Sequence, residues 1–202
     1  MNQLLRRLDL PVVVAFVLTG SVFLLKMCYL SLAFNTAFGI FFLTAFYGYI
    51  RLRHDLTVPW LLLVFVFAAV QVDALGNYFK MYGRQFGPVQ YDEFSHMAVQ
   101  ALVTPIIVWL AWGALEKFGY CLSLGLTSFF AATTIFSLSA FYEIIELWDE
   151  VYFQGQRIWS IHDTANDLQW DLLGIVVGTL LANVLLRTLA VHPRPAWTNR
   201  PS

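Results

Sequence analysis

The sequence predicts an all-α fold: a polytopic membrane helix bundle of about six transmembrane helices with both termini in the cytoplasm. Three observations predict it. The chain is 59% hydrophobic and only 12% charged, about half the charged share of a soluble domain. Its mean hydropathy is +0.66. Apolar runs near the roughly 20 residues that a hydrocarbon core requires recur along its whole length.

The first span covers about 10–27, with Pro11 in the first turn, where its missing N–H costs nothing. Arg6 and Arg7 before it give the look of a signal peptide. No small-x-small cleavage site follows and the apolar pattern runs past Lys26, so the expected element is an uncleaved signal anchor. The second span covers about 30–50 and closes on Arg51-Leu52-Arg53-His54-Asp55. The third covers about 58–77 and is followed by a loop with Gly83, Gly87 and Pro88. The fourth covers about 92–114, with Pro105 inside as a kink. The fifth covers about 119–146, and the sixth about 162–186. Residues 187–202 form a Pro-rich tail, and 1–202 is a single transmembrane domain with no repeat.

Charge fixes the orientation. With the N-terminus inside, Arg6, Arg7, Arg51, Arg53, Lys117, Arg187, Arg194 and Arg200 are cytoplasmic, against Lys26, Lys80, Arg84 and Arg157 outside. A net charge of −1 without a Lys/Arg block excludes a nucleic-acid partner. Cys28 and Cys121 fall near opposite faces, too far apart for a disulfide. Membrane lipids are the expected partners, and Trp109, Trp112 and the many Phe residues face lipid or dock a neighbouring membrane protein. No loop exceeds about 16 residues, so function resides in the bundle or at its mouth.

In that topology Asp73, Asp92, Glu93, Glu143, Glu146, Asp149, Glu150, Asp163, Asp167 and Asp171 all fall on the outer side. A carboxylate near a helix centre costs roughly 2.5–3.5 kcal/mol on insertion scales. A chain that keeps several puts them to use. Residues three or four apart share a helix face, and four helix ends each carry such a pair. Asp73 and Asn77 end the third span, only about 22 Å of helix after Val58, so Asp73 lies below the interface. Asp92 and His96 open the fourth, where an acid also suits the helix dipole. Glu143 and Glu146 close the fifth, and Glu146 also reads as an interfacial anchor. Asp167 and Asp171 follow Ser160-x-x-Asp163, an acidic variant of a capping box that makes Asp163 a cap. No cap explains Asp171, which sits a turn deeper, within the hydrocarbon zone. Asp149 and Glu150 are solvated loop charges. Gly174 and Gly178 form a GxxxG spacing that serves close helix packing.

Bundles that bind metals present carboxylates and histidines from several helices in this way. Asp73, Asn77, Asp92, Asp167 and Asp171 are the candidate ligands, with His96, Glu143 and Glu146 as candidate acid–base residues. An oxygen-rich set favours Mg²⁺, Mn²⁺ or Ca²⁺ over Zn²⁺. Apart from Gln100 and Asn183, little polar path leads from this cluster to the cytoplasm.

Three segments also carry a resemblance. They are Tyr91-Asp92-Glu93-Phe94-Ser95-His96, Ser139-Ala140-Phe141-Tyr142-Glu143-Ile144-Ile145-Glu146 and Asp167-Leu168-Gln169-Trp170-Asp171. In order and spacing they resemble the Tyr-Asp-x-x-x-His, Ser-Ala-Phe-Tyr-Glu-x-x-Glu and Asp-x-Gln-x-Asp segments of the YjdF-like family of predicted bacterial inner-membrane proteins. The likeness covers about 73–185. It departs at Val99-Gln100, where that family has Gln-Gly, and at Ala165-Asn166, where it often has Gly and Trp. The resemblance implies a six-span bundle in a bacterial inner membrane and no established activity. A weaker similarity to VanZ-like membrane proteins rests on an early acid and histidine and a late Asp-rich helix.

Three functions compete. The first is a metal-dependent membrane enzyme acting on a lipid or lipid-linked headgroup at the outer face. The second is a structural or partner-binding subunit whose polar residues hold helices together. The third is an ion- or proton-coupled transporter.

Overall fold

The computed structural model describes residues 58–154, 158, 160 and 162–188. The first two expected spans and nearly all of the tail lie outside the described residues, and with them the six-span count and the orientation of the termini. The chain divides into two compact units, Met1–Met81 with Pro195–Ser202, and Tyr82–Arg194.

In the first unit the described helix is α1, Trp60–Tyr78. Pro59 starts it: its carbonyl accepts the N–H of Leu62 at 3.0 Å. Leu62 and Ala69, two turns apart on one face, are buried. The apolar stretch of α1, Leu61–Val72, is shorter than those of the three helices that follow.

The second unit opens with a hairpin where the sequence predicted a plain loop. Strands β1 (Gln85–Phe86) and β2 (Val89–Gln90) pair antiparallel, with Phe86 opposite Val89. Gly87 makes the reversal possible with φ of +68°, a conformation side chains resist. The hairpin feeds directly into α2, Tyr91–Lys117. Glu93 caps that start, accepting the Gln90 N–H at 2.8 Å.

Helices α2, α3 (Leu124–Phe153) and α4 (Asp163–Thr188) are each long and apolar enough to cross a membrane. At 26 to 30 residues they outrun the expected spans, because their polar end turns remain helical. The fifth span begins later than residue 119 for a local reason. Gly119, at φ of +82°, closes α2, and the Tyr120 N–H returns to the Leu115 carbonyl at 2.9 Å. Ser123 then caps α3, its hydroxyl accepting the Leu126 N–H at 3.3 Å. At the start of α4 the Ser160 carbonyl accepts the N–H of Asp163 at 3.2 Å. The Ser160 hydroxyl accepts the N–H of His162 at 3.2 Å, which leaves Asp163 as a first-turn acid.

Helices α2 and α4 run parallel in close contact. The buried face of α4 is Asp167, Asp171, Gly174, Gly178 and Ala182, a run at three- and four-residue spacing. A Cβ on Gly174 would stand 2.3 Å from the Met97 carbonyl oxygen, and one on Gly178 would stand 2.7 Å from that of Ala101. The GxxxG spacing therefore works inside the bundle. Pro105 has no N–H to offer the Ala101 carbonyl, and the Gly178 backbone packs against that carbonyl. Helix α3 runs antiparallel to both: Ser139 meets Gln100 near one end of the interface and Ser128 meets Asn183 toward the other. Val108, Trp109, Ile135, Ile175 and Ala182 fill the core, so Trp109 packs inside the bundle instead of facing lipid or a neighbouring protein as expected.

This packing yields a first expected result. Gly174→Ala destabilises the protein by about 1–3 kcal/mol, since the atoms it strikes are mainly backbone. Gly125→Ala, with nothing within 4 Å, is the control and leaves stability unchanged or slightly raised. Thermal unfolding in detergent separates the two, and equal melting points would contradict the packing described.

Candidate functional site

The close approach of α2 and α4 places two i,i+4 pairs against each other: Asp92 and His96 on α2, Asp167 and Asp171 on α4. Aspartate is short, so only a small-residue interface lets it reach a histidine on the neighbouring helix. The glycines one and two turns below Asp171 provide that interface.

His96 is the centre. Its Nδ1 lies 3.0 Å from Oδ1 of buried Asp171. Where the Asp171 carboxylate is ionised it only accepts, and Nδ1 is then the donor. The other ring nitrogen, Nε2, faces Oδ1 of Asp92 at 3.8 Å and Oδ1 of Asp167 at 4.0 Å. Both distances exceed hydrogen-bond length. The three ligand atoms of Asp92, His96 and Asp167 lie within 4.8 Å of one another. A cation bonded at about 2.1–2.4 Å holds adjacent ligands about 3.0–3.4 Å apart, so small side-chain movements would close this set around one.

Glu143 approaches from α3. It is 3% exposed, and its Oε1 has no hydrogen-bond partner among the described residues. Thr164 hydrogen-bonds its carboxylate, and Glu146, His96 and Asp171 lie near enough to act on it electrostatically. Glu146 is half-buried one turn on and faces both Asp92 and Glu143. Asp163 also faces Asp92 and Asp167. The N-termini of α2 and α4 end here together, and their dipoles favour negative charge.

The structure thus brings Asp92, His96, Glu143, Glu146, Asp167 and Asp171 together at one end of the second unit. Asp171, expected as a ligand, is engaged with the Nδ1 of His96. His96, expected as a base, presents Nε2 to the two aspartates that remain. Asp73 and Asn77 fall on α1, and their side chains lie outside the described residues.

Glu93 is a residue whose structural role the sequence did not reveal. Beyond capping α2, its Oε1 accepts from Asn166 Nδ2 at 2.8 Å, tying the first turns of α2 and α4 together. The S/T-x-x-E signature lacks its usual first residue here, since Gln90 holds the cap position. The hairpin adds aromatics beside the site. The ring of Tyr91 stacks edge-on with Tyr82 at 5.3 Å and contacts Phe86 and Phe94.

Among known families, the model described as "Predicted membrane protein (DUF2238)" matches residues 9–191. No curated protein and no solved structure matches the chain.

Proposed function

Because the chain belongs to the DUF2238 family of predicted membrane proteins, we propose that it is a multi-pass inner-membrane protein that holds a divalent cation at its outer face and acts there on a phosphate-bearing lipid headgroup. Asp92, His96 Nε2 and Asp167 are the ligands. Asp171 fixes the tautomer and tilt of His96, as carboxylates do behind metal-bound histidines. Six spans with cytoplasmic termini belong to this reading, as does membership of the YjdF-like group.

One observation carries it: Nδ1 of His96 is taken by Asp171, while Nε2 and two carboxylate oxygens converge without hydrogen-bonding one another. Two carboxylates with one imidazole suit Mn²⁺ best among Mg²⁺, Mn²⁺ and Ca²⁺, because imidazole is a poor ligand for the harder pair. The headgroup assignment draws on position. The site lies at the end of three helices of membrane-crossing length. It sits beside Tyr82, Phe86, Tyr91 and Phe94, aromatics of the kind that populate the lipid–water interface.

A bound cation would neutralise phosphate charge and acidify water. The chain's own contribution would be Glu143, whose Oε1 would take the proton from the attacking water and return it to the diacylglycerol oxygen as the P–O bond breaks, with Glu146 beside it. Vesicles containing phosphatidic acid and phosphatidylglycerol test the reading. Purified protein with Mn²⁺ should release headgroup phosphate or glycerophosphate, and EDTA should stop it. Release unaffected by EDTA and by Glu143→Gln, or no release from either lipid, would refute the enzymatic part.

A second reading has its own support. Glu93–Asn166, Gln100–Ser139 and Asn183–Ser128 are interhelical hydrogen bonds, the kind that hold a structural or partner-binding subunit together.

A further inference from the structure

Below the Asp/His cluster the interface of α2, α3 and α4 stays polar. One turn down α3 from Glu143, Ser139 is buried and accepts from Gln100 Nε2 at 2.7 Å. One turn further along α2, fully buried Thr104 donates to the Gln100 carbonyl. Thr104 packs against Gly178. Thr179, one turn before Asn183 on the same face of α4, has a buried Oγ1 with no partner among the described residues. A turn beyond, Asn183 Nδ2 donates to Ser128 Oγ at 2.9 Å. Next to Ser128 is Thr127, fully buried, its Oγ1 again without a partner among the described residues. Thr127 lies in the first turn of α3, about 24 Å along the helix from Glu143. The polar file therefore runs nearly the length of a membrane span. The sequence showed only Gln100 and Asn183 of it.

Side chains that merely glue helices satisfy one another. Here unpaired buried oxygens recur at three depths: Glu143 Oε1, Thr179 Oγ1 and Thr127 Oγ1. Each would cost about 1–3 kcal/mol if left dry. Internal water, which needs several polar partners and room for itself, would satisfy them.

We propose that this file conducts protons between the acidic site and the opposite end of the bundle. The chemistry of its members selects the cargo. Between the cluster and Thr127 the file holds hydroxyls and amides and no charged side chain. A dehydrated metal cation takes six or more oxygen ligands, which single hydroxyls spaced a turn apart do not supply. A hydroxyl both donates and accepts. It forms an O–H bond to the arriving proton as its own O–H breaks toward the next water, so each hop balances. One proton leaves one face and one appears at the other, with nothing oxidised or reduced. The proposal does not depend on whether a cation occupies the site above.

The full chain reconstituted in phosphatidylcholine/phosphatidylglycerol vesicles, with a potassium gradient, valinomycin and an internal pH dye, tests it. Wild-type vesicles should equilibrate pH about tenfold faster than protein-free ones. Thr179→Val preserves shape and breaks no direct hydrogen bond, so it should lower that excess about tenfold at an unchanged melting temperature. Thr179→Ser should restore it. Ser128→Ala is the second block, and Thr179→Val carries the test if Ser128→Ala unfolds. A wild-type rate equal to that of empty vesicles would overturn the proposal. So would a Thr179→Val rate equal to wild type, which would leave the file as packing alone.

Discussion

Asp167→Asn is expected to weaken Mn²⁺ binding by at least about a hundredfold, beyond the range seen when only a supporting residue is lost. The amide keeps the shape of the buried carboxylate and removes its charge. It also turns one ligand atom into an N–H donor pointed at the cation. Asp92→Asn should act in the same direction and less strongly, since Asp92 is more exposed, 20% against 6% for the Asp167 side chain. Calorimetric titration of purified protein with Mn²⁺ reads both. Affinity unchanged in Asp167→Asn would remove that residue from the site.

The second large effect falls on a residue that need not touch the cation. Asp171→Asn should weaken binding about 10–100-fold through the ring of His96. An asparagine amide placed at Nδ1 can donate to it. That favours the tautomer with the proton on Nε2, which then points an N–H at Asp92 and Asp167. The aspartate-to-asparagine change in a serine-protease triad disables its histidine for the same reason. Two readouts separate this route from direct ligation. NMR of ¹⁵N-histidine, recorded without metal at a pH high enough to leave the ring neutral, should show the proton on Nδ1 in wild type and on Nε2 in the variant. Asp171→Glu, which can still accept from Nδ1, should recover part of the affinity. An unmoved proton with binding lost would make Asp171 a ligand after all.

Much of the second unit was legible in the chain. Four-residue spacing alone put Asp92 with His96 and Asp167 with Asp171 on shared faces, because helical geometry is local. The GxxxG spacing announced a close approach, and the structure shows the partner as α2. Which nitrogen of His96 faces which carboxylate was not legible, since it depends on the axial offset of two helices distant in sequence. The same holds for Glu93, whose bond to Asn166 spans 73 positions. Nothing in the sequence marked Ser128 or Thr179, and Ser139 stood out only within a resemblance segment; three-helix packing brings them to one interface. The hairpin escaped for another reason. Two-residue strands carry no periodicity, and Gly87-Pro88 signals a turn without specifying pairing.

The division of roles around His96 also explains why an acid-rich helix end tolerates its burial. Three carboxylates meet one imidazole, two of them buried, beneath two helix N-termini. A protonated imidazole would offset one charge. A divalent cation among Asp92, His96 and Asp167 would offset more, and it would stabilise the folded state by about 2.7 kcal/mol at a hundred times its dissociation constant.

The most direct measurement is elemental analysis of the purified full chain after Mn²⁺ loading and desalting, beside the Asp92→Asn/Asp167→Asn double variant. A cation site at Asp92, His96 and Asp167 predicts about one Mn per wild-type chain and almost none in the variant. Equal, negligible metal in two well-folded proteins would contradict it, and would leave His96 as an imidazolium paired with its three aspartates.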